Sequence, residues 1–171
     1  MRERQEVFQD LRGGLPGPID RAIQEIREGA DVSIVPELLD MLLHAHDVYL
    51  VSRLTALLAD VKEPAMTGLL MDRLVATGDG EEQARLLRVC WESALDFSGY
   101  LDVFAGLLLA GDYITALEAA TVMMHLNGDI AAGRRARVIR QLREASTDED
   151  RTFLVEEVIQ SLSRQEMGDE G

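Results

Sequence analysis

Three short stretches of this chain repeat one pattern at a nearly fixed interval. LLHAHD (Leu42 to Asp47), LVATGD (Leu74 to Asp79) and LLLAGD (Leu107 to Asp112) each read as an apolar helix end, a short turn and an aspartate, with the aspartates 32 and then 33 residues apart. A weaker fourth copy, LREAST (Leu142 to Thr147), puts Thr147 where the aspartates stand. A period of this size marks a repeat architecture, in which one helix–turn–helix unit cannot bury its apolar face alone and must share a core with its neighbours.

The register continues beyond each aspartate. Seven residues on stand Leu54, Leu86 and Ala119, and ten residues on stand Leu57, Val89 and Val122. Elsewhere apolar residues recur at helical spacing, as in Ile19, Ala22, Ile23 and Ile26, and no stretch alternates as a strand would. Pro18, Pro36 and Pro64 each fall where a helix would begin, a position that tolerates the missing N–H. The pattern predicts first helices at about 17–28, 47–61, 80–95, 112–126 and 148–164, and second helices at about 34–44, 64–76, 98–110 and 129–145. The expected fold is all-α, an α-solenoid of about four to five stacked antiparallel helix pairs.

Each aspartate precedes a helix, where its carboxylate can accept free N–H groups of the first turn and meet the positive end of the helix dipole. Glu82, three residues after Asp79, completes a capping box. Arg21, Arg53 and Arg85 share one place in the repeat, with Glu118 at that place in the next unit.

PELL at Pro36 to Leu39, then Asp47, then VSR at Val51 to Arg53 resembles the HEAT consensus, in the short form similar to phycobilin-lyase-type HEAT-like repeats. The Asp79 to Arg85 unit repeats the pattern, and the resemblance covers roughly residues 18 to 145. It implies an α–α superhelix in which Asp and Arg form a ladder between repeats, tying Asp47 and Asp79 to Arg53 and Arg85. Function does not follow from such a fold.

Charge narrows the partners. Against 31 acidic residues stand 17 basic ones, a formal net charge of −14, which repels phosphate backbones and anionic membranes. Nucleic acid is therefore an unfavoured partner. The lone Cys90 precludes an internal disulfide and fits a reducing cytoplasm. The charged start MRERQEVFQDLR has no apolar signal region, and no apolar run approaches the ~20 residues that span a bilayer. The expectation is a soluble, cytoplasmic protein with no membrane association.

The catalytic inventory is empty. His44, His46 and Asp47 are the one cluster with metal-ligand chemistry, but two histidines two residues apart at a helix-ending turn do not stack on one face, and Asp47 is accounted for as a cap. HEAT-type deoxyhypusine hydroxylases hold di-iron through His-Glu dipeptides, and none occurs here. No metal, cofactor or catalytic residue is expected. Cys90 falls in a core register, where a thiol is a small inert hydrophobe, and Met66, Met71, Met123 and Met124 fill helical positions.

Two charged features are candidates for binding. Asp40 and Asp72 share a place seven residues before the aspartate cap, and Glu37 and Asp102 share one ten before it, so Glu37, Asp40, Asp72 and Asp102 would make an acidic strip on the second helices. If those helices line the concave face, the strip fits a basic protein partner. The alternative is an accessory or enzyme that binds an anionic ligand or nucleic acid on GRRARVIRQLR, where Arg134, Arg137, Arg140 and Arg143 lie around one side of a helix and Val138, Ile139 and Leu142 on the other. Arg135, projecting among the apolar positions, is expected to be partly buried and ion-paired. Residues 15–164 form one repeat domain. Residues 1–14 are an extension, either a helix capping the array through Val7, Phe8 and Leu11 or a mobile segment, and residues 165–171 are read as a frayed tail.

Overall fold

The computed structural model describes residues 2–168. Among these it contains ten α-helices and no strand: α1 (Arg4–Arg12), α2 (Pro16–Gly29), α3 (Val35–His44), α4 (Val48–Ala59), α5 (Ala65–Ala76), α6 (Gly80–Glu92), α7 (Leu101–Ala110), α8 (Tyr113–Met124), α9 (Ala132–Glu144) and α10 (Glu149–Gly168). Single 3-10 turns at Val32–Ile34 and Ser98–Tyr100 lead into α3 and α7. The protein is all-α. Residues 165–168 of the expected tail continue α10, and residues 169–171 lie outside the described residues.

The repeated aspartates do start helices. Asp47 Oδ1 accepts from the Tyr49 N–H (2.9 Å), Asp79 Oδ1 from Glu82 (3.0 Å) and Asp112 Oδ1 from Thr115 (2.8 Å). Each bond satisfies a first-turn donor that the helix leaves without a partner. In the fourth copy the residue in this role is Asp148, whose Oδ1 accepts from the Arg151 N–H (2.8 Å), so the position assigned to Thr147 is one residue early. Helix ends are set by similar local chemistry. α6 stops at Glu92 because Ser93 turns extended, and Asp96 then caps the 3-10 turn through the Ser98 N–H (2.9 Å).

The packing frame differs from the expected pairing of residues 17–28 with 34–44. The close contacts run α1 with α2, α3 with α4, α5 with α6, α7 with α8 and α9 with α10, whereas α2 and α3, or α4 and α5, contribute little to one another. The cause is the length of the joins. Helices that pack are separated only by residues 13–15, 45–47, 77–79, 111–112 and 145–148, whereas the other joins, 30–34, 60–64, 93–100 and 125–131, are longer. In addition α2 packs on α4, α4 on α6, α6 on α8 and α8 on α10.

A single apolar core runs through these contacts, from Val7, Phe8 and Leu11 of α1 to Leu154, Val155, Val158 and Leu162 of α10. The buried threonines find carbonyl partners: Thr55 Oγ1 donates to Val51 O (2.7 Å), and Thr115 Oγ1 to Gly80 O (3.1 Å) on the preceding even-numbered helix. No helix among the described residues is long and apolar enough to cross a membrane.

Candidate functional site

The expected Asp–Arg ladder takes a different form. Asp47 and Asp79 bond their own helix starts, Arg53 Nε lies 2.9 Å from Asp20 Oδ1, and Arg85 donates to two carbonyls, Leu42 O (2.7 Å) and Ala45 O (2.8 Å), at the end of α3. Arg151 on α10 repeats this move, donating to Leu108 O (2.8 Å) of α7. In both cases a guanidinium satisfies carbonyls that the helix C-terminus leaves open and meets the negative end of its dipole.

The acidic strip is largely occupied by arginines. Glu37 pairs with Arg4 (2.8 Å), Asp40 with Arg73, and Asp102 with both Arg134 (2.9 Å) and Arg137 (3.1 Å). Burial acts to raise the pKa of Asp102, but the hydrogen bonds from Arg134 and Arg137 outweigh it and hold the carboxyl below its ordinary range. Exposed Asp72 makes no ion pair among the described residues. The rungs are 33 and 32 residues apart, and the place that Arg73 fills falls on Ala105 or Gly106 in the next unit, so Asp72 has no arginine to meet.

The arginine helix divides in the same way. Arg134 and Arg137 are engaged by Asp102, while Arg140 and Arg143 form no ion pair among the described residues. These two line a shallow cleft of about 470 Å³ with Ala136, Ile139, Glu144 and Ser163. Arg135 is buried, with Nη2 donating to Ile130 O (3.2 Å).

His44, His46 and Asp47 share a cleft of about 610 Å³ with Leu11, Arg12, Glu37 and Asp40. The ring of His44 is tied at Nδ1 to Asp40 O (2.7 Å), within its own helix. No three His, Cys, Asp or Glu side chains among the described residues are placed to hold a metal ion. Cys90 is buried, and burial pushes its thiol up to about 12.

A face that carried no expectation stands out on α6, α8 and α10. Half-buried Trp91 donates from Nε1 to Glu118 Oε2 (2.6 Å), with the Arg88 guanidinium 5.5 Å above its ring and His125 tilted beside it at 5.9 Å. α8 also exposes Tyr113, Ile114 and Leu117, and α10, which packs on α8, exposes Phe153. Counted from the caps Asp112 and Asp148, Leu117 and Phe153 occupy the same place, five residues on; in earlier units that place holds Ser52 and Ala84. A change from small or polar to large apolar residues at one exposed repeat position is the signal that reveals this face.

No family model, no curated protein and no solved structure matches the chain.

Proposed function

We propose that this chain is a non-catalytic scaffold, an α-solenoid of HEAT-like repeats that works in the cytoplasm by holding a basic protein partner. The observation that carries the reading is the succession α2, α4, α6, α8, α10, in which each helix packs on its neighbours and each has one preceding helix as a hairpin partner. In this reading five helix pairs stack, and the even-numbered helices present one continuous polar-to-apolar face. The net charge of −14 selects for a basic partner and speeds its approach. Because Glu37, Asp40 and Asp102 already have arginine partners, their strip offers less to a second chain than its sequence promises. The test is capture of native proteins on the immobilised intact chain at low ionic strength, followed by elution with salt. The reading expects Arg- and Lys-rich proteins in the salt eluate; their absence there sinks it.

A second reading keeps the alternative anion site, narrowed to Arg140 and Arg143, because these are the cations of α9 without a carboxylate among the described residues. Titration with inorganic phosphate or an oligonucleotide tests it. Binding abolished in an Arg140→Glu, Arg143→Glu variant supports it, and no binding to the unaltered chain removes it.

A further inference from the structure

We infer that Ile114 and Leu117 of α8, with Phe153 of α10, form the docking surface for a single basic amphipathic helix of the partner protein; the inference rests on the protein-binding reading above. Ile114 is 56% exposed, Leu117 37% and Phe153 63%, large apolar side chains on helices that pack directly against each other. Packed helices run about 8–10 Å apart. Leu117 and Phe153, at one repeat position on adjacent helices, therefore present two anchors about 10 Å apart. That spacing matches side chains seven residues apart on a docking helix, which rises about 1.5 Å per residue.

Charge sets the rest of the occupant. Around Phe153 on α10 stand exposed Glu149 and Asp150 and half-buried Glu157, while Arg151 beside them is mostly covered and engaged by Asp148 (3.7 Å) and the Leu108 carbonyl (2.8 Å). The basic groups of α6 are both engaged, Arg85 by Glu81 (2.7 Å) and the carbonyls of Leu42 and Ala45, and Arg88 by Glu92 (3.3 Å) and the ring of Trp91. α8 itself carries no Lys or Arg. A second copy of this chain would set these carboxylates against their own counterparts, with −14 on each molecule. An extended basic peptide would meet the acids but leave the apolar strip in water. A helix with leucine-like residues on one stripe and Lys or Arg beside it satisfies both demands.

The experiment uses the intact chain and a fluorescent peptide of leucine and lysine in helical register, with its scrambled isomer as comparison. Anisotropy should show tighter binding of the helical peptide, weakened by salt, and lowered about tenfold or more by Leu117→Ser or Phe153→Ser, the loss expected for uncovering one large apolar anchor. Val48→Ser, at an 83% exposed apolar residue on α4, should leave it unchanged. Trp91 is the lone tryptophan and hydrogen-bonds Glu118, the residue after Leu117, so its emission gives a second readout. Equal binding of the two peptides, no binding of either, or indifference to both substitutions overturns the inference. So does a dimer that Phe153→Ser converts to monomer in sedimentation, which would assign the face to a second copy. Basic proteins captured equally by the Phe153→Ser chain would overturn this surface while leaving the scaffold reading intact; an empty salt eluate would defeat that reading itself.

Discussion

The carboxylate of Asp112 occupies the space a side chain on Gly80 would need: a Cβ built on Gly80 would lie 2.1 Å from Asp112 Oδ2. Asp112 is held there by the Thr115 N–H, and Thr115 in turn reaches the Gly80 carbonyl, so the start of α8 is clamped onto the start of α6. The same carboxyl is held below its ordinary value, first by the Thr115 backbone hydrogen bond.

Gly80→Ala therefore reverses the usual sign of such a change. In an open helix the substitution would gain about 0.5–1 kcal/mol from lower chain entropy. Here the methyl must displace a pinned cap, and overpacking of this kind costs about 1–3 kcal/mol. Urea denaturation should show a net loss of about 1 kcal/mol, whereas Gly68→Ala, with open space around the added methyl, should not destabilise.

Arg85 and Arg151 should matter more than their surface charge implies. Both side chains are mostly covered, and both bond carbonyls at the end of a helix 43 residues earlier in sequence. A charge-assisted bond to a carbonyl that otherwise lacks a partner contributes about 1.5–3 kcal/mol. Arg85→Met should lower the unfolding free energy by about 2–3 kcal/mol, and Arg151→Met by somewhat less because it breaks one such bond. Arg21→Met, at an exposed arginine whose Asp10 contact is long (3.4 Å), should change it by less than about 0.5 kcal/mol.

Ala30→Gly should stabilise. Ala30 ends α2 with φ at +47°, the left-handed region in which a Cβ is strained and glycine is at ease. The N–H of Ala30 bonds Ile26 O (3.2 Å), a bond that glycine keeps. Relief of the Cβ strain is worth about 1 kcal/mol, partly offset by the extra freedom of glycine in the unfolded chain. A rise in melting temperature checks it.

How far the sequence reaches depends on the range of the interaction. Aspartate caps were legible because donor and acceptor lie two or three residues apart, so Asp47, Asp79 and Asp112 announce themselves. Arg53 and Arg85 share a repeat position yet bind a carboxylate in one case and carbonyls in the other, because their surroundings come from other units. The face at Phe153 was hidden by one residue. Counting five from Thr147 lands on half-buried Thr152, and only the bond from the Arg151 N–H to Asp148 restores the frame in which Phe153 aligns with Leu117.

Cys90 works against stability in alkali. Its thiol ionises near 9.0 when exposed and at about 12 in the folded chain, where burial dominates and its own backbone hydrogen bond opposes weakly. The folded state thus holds a proton that the unfolded state releases. Stability from this group is fully present below pH 9 and declines as pH rises from 9 toward 12. Cys90→Ala removes this group's share of the slope and leaves a small cavity, so the variant should be less stable at pH 8 yet lose less on going to pH 10.5. Urea midpoints of both proteins at the two pH values check the sign. A thiol reagent at pH 8 should modify the native protein only as fast as it opens, because the buried, protonated sulfur offers no thiolate.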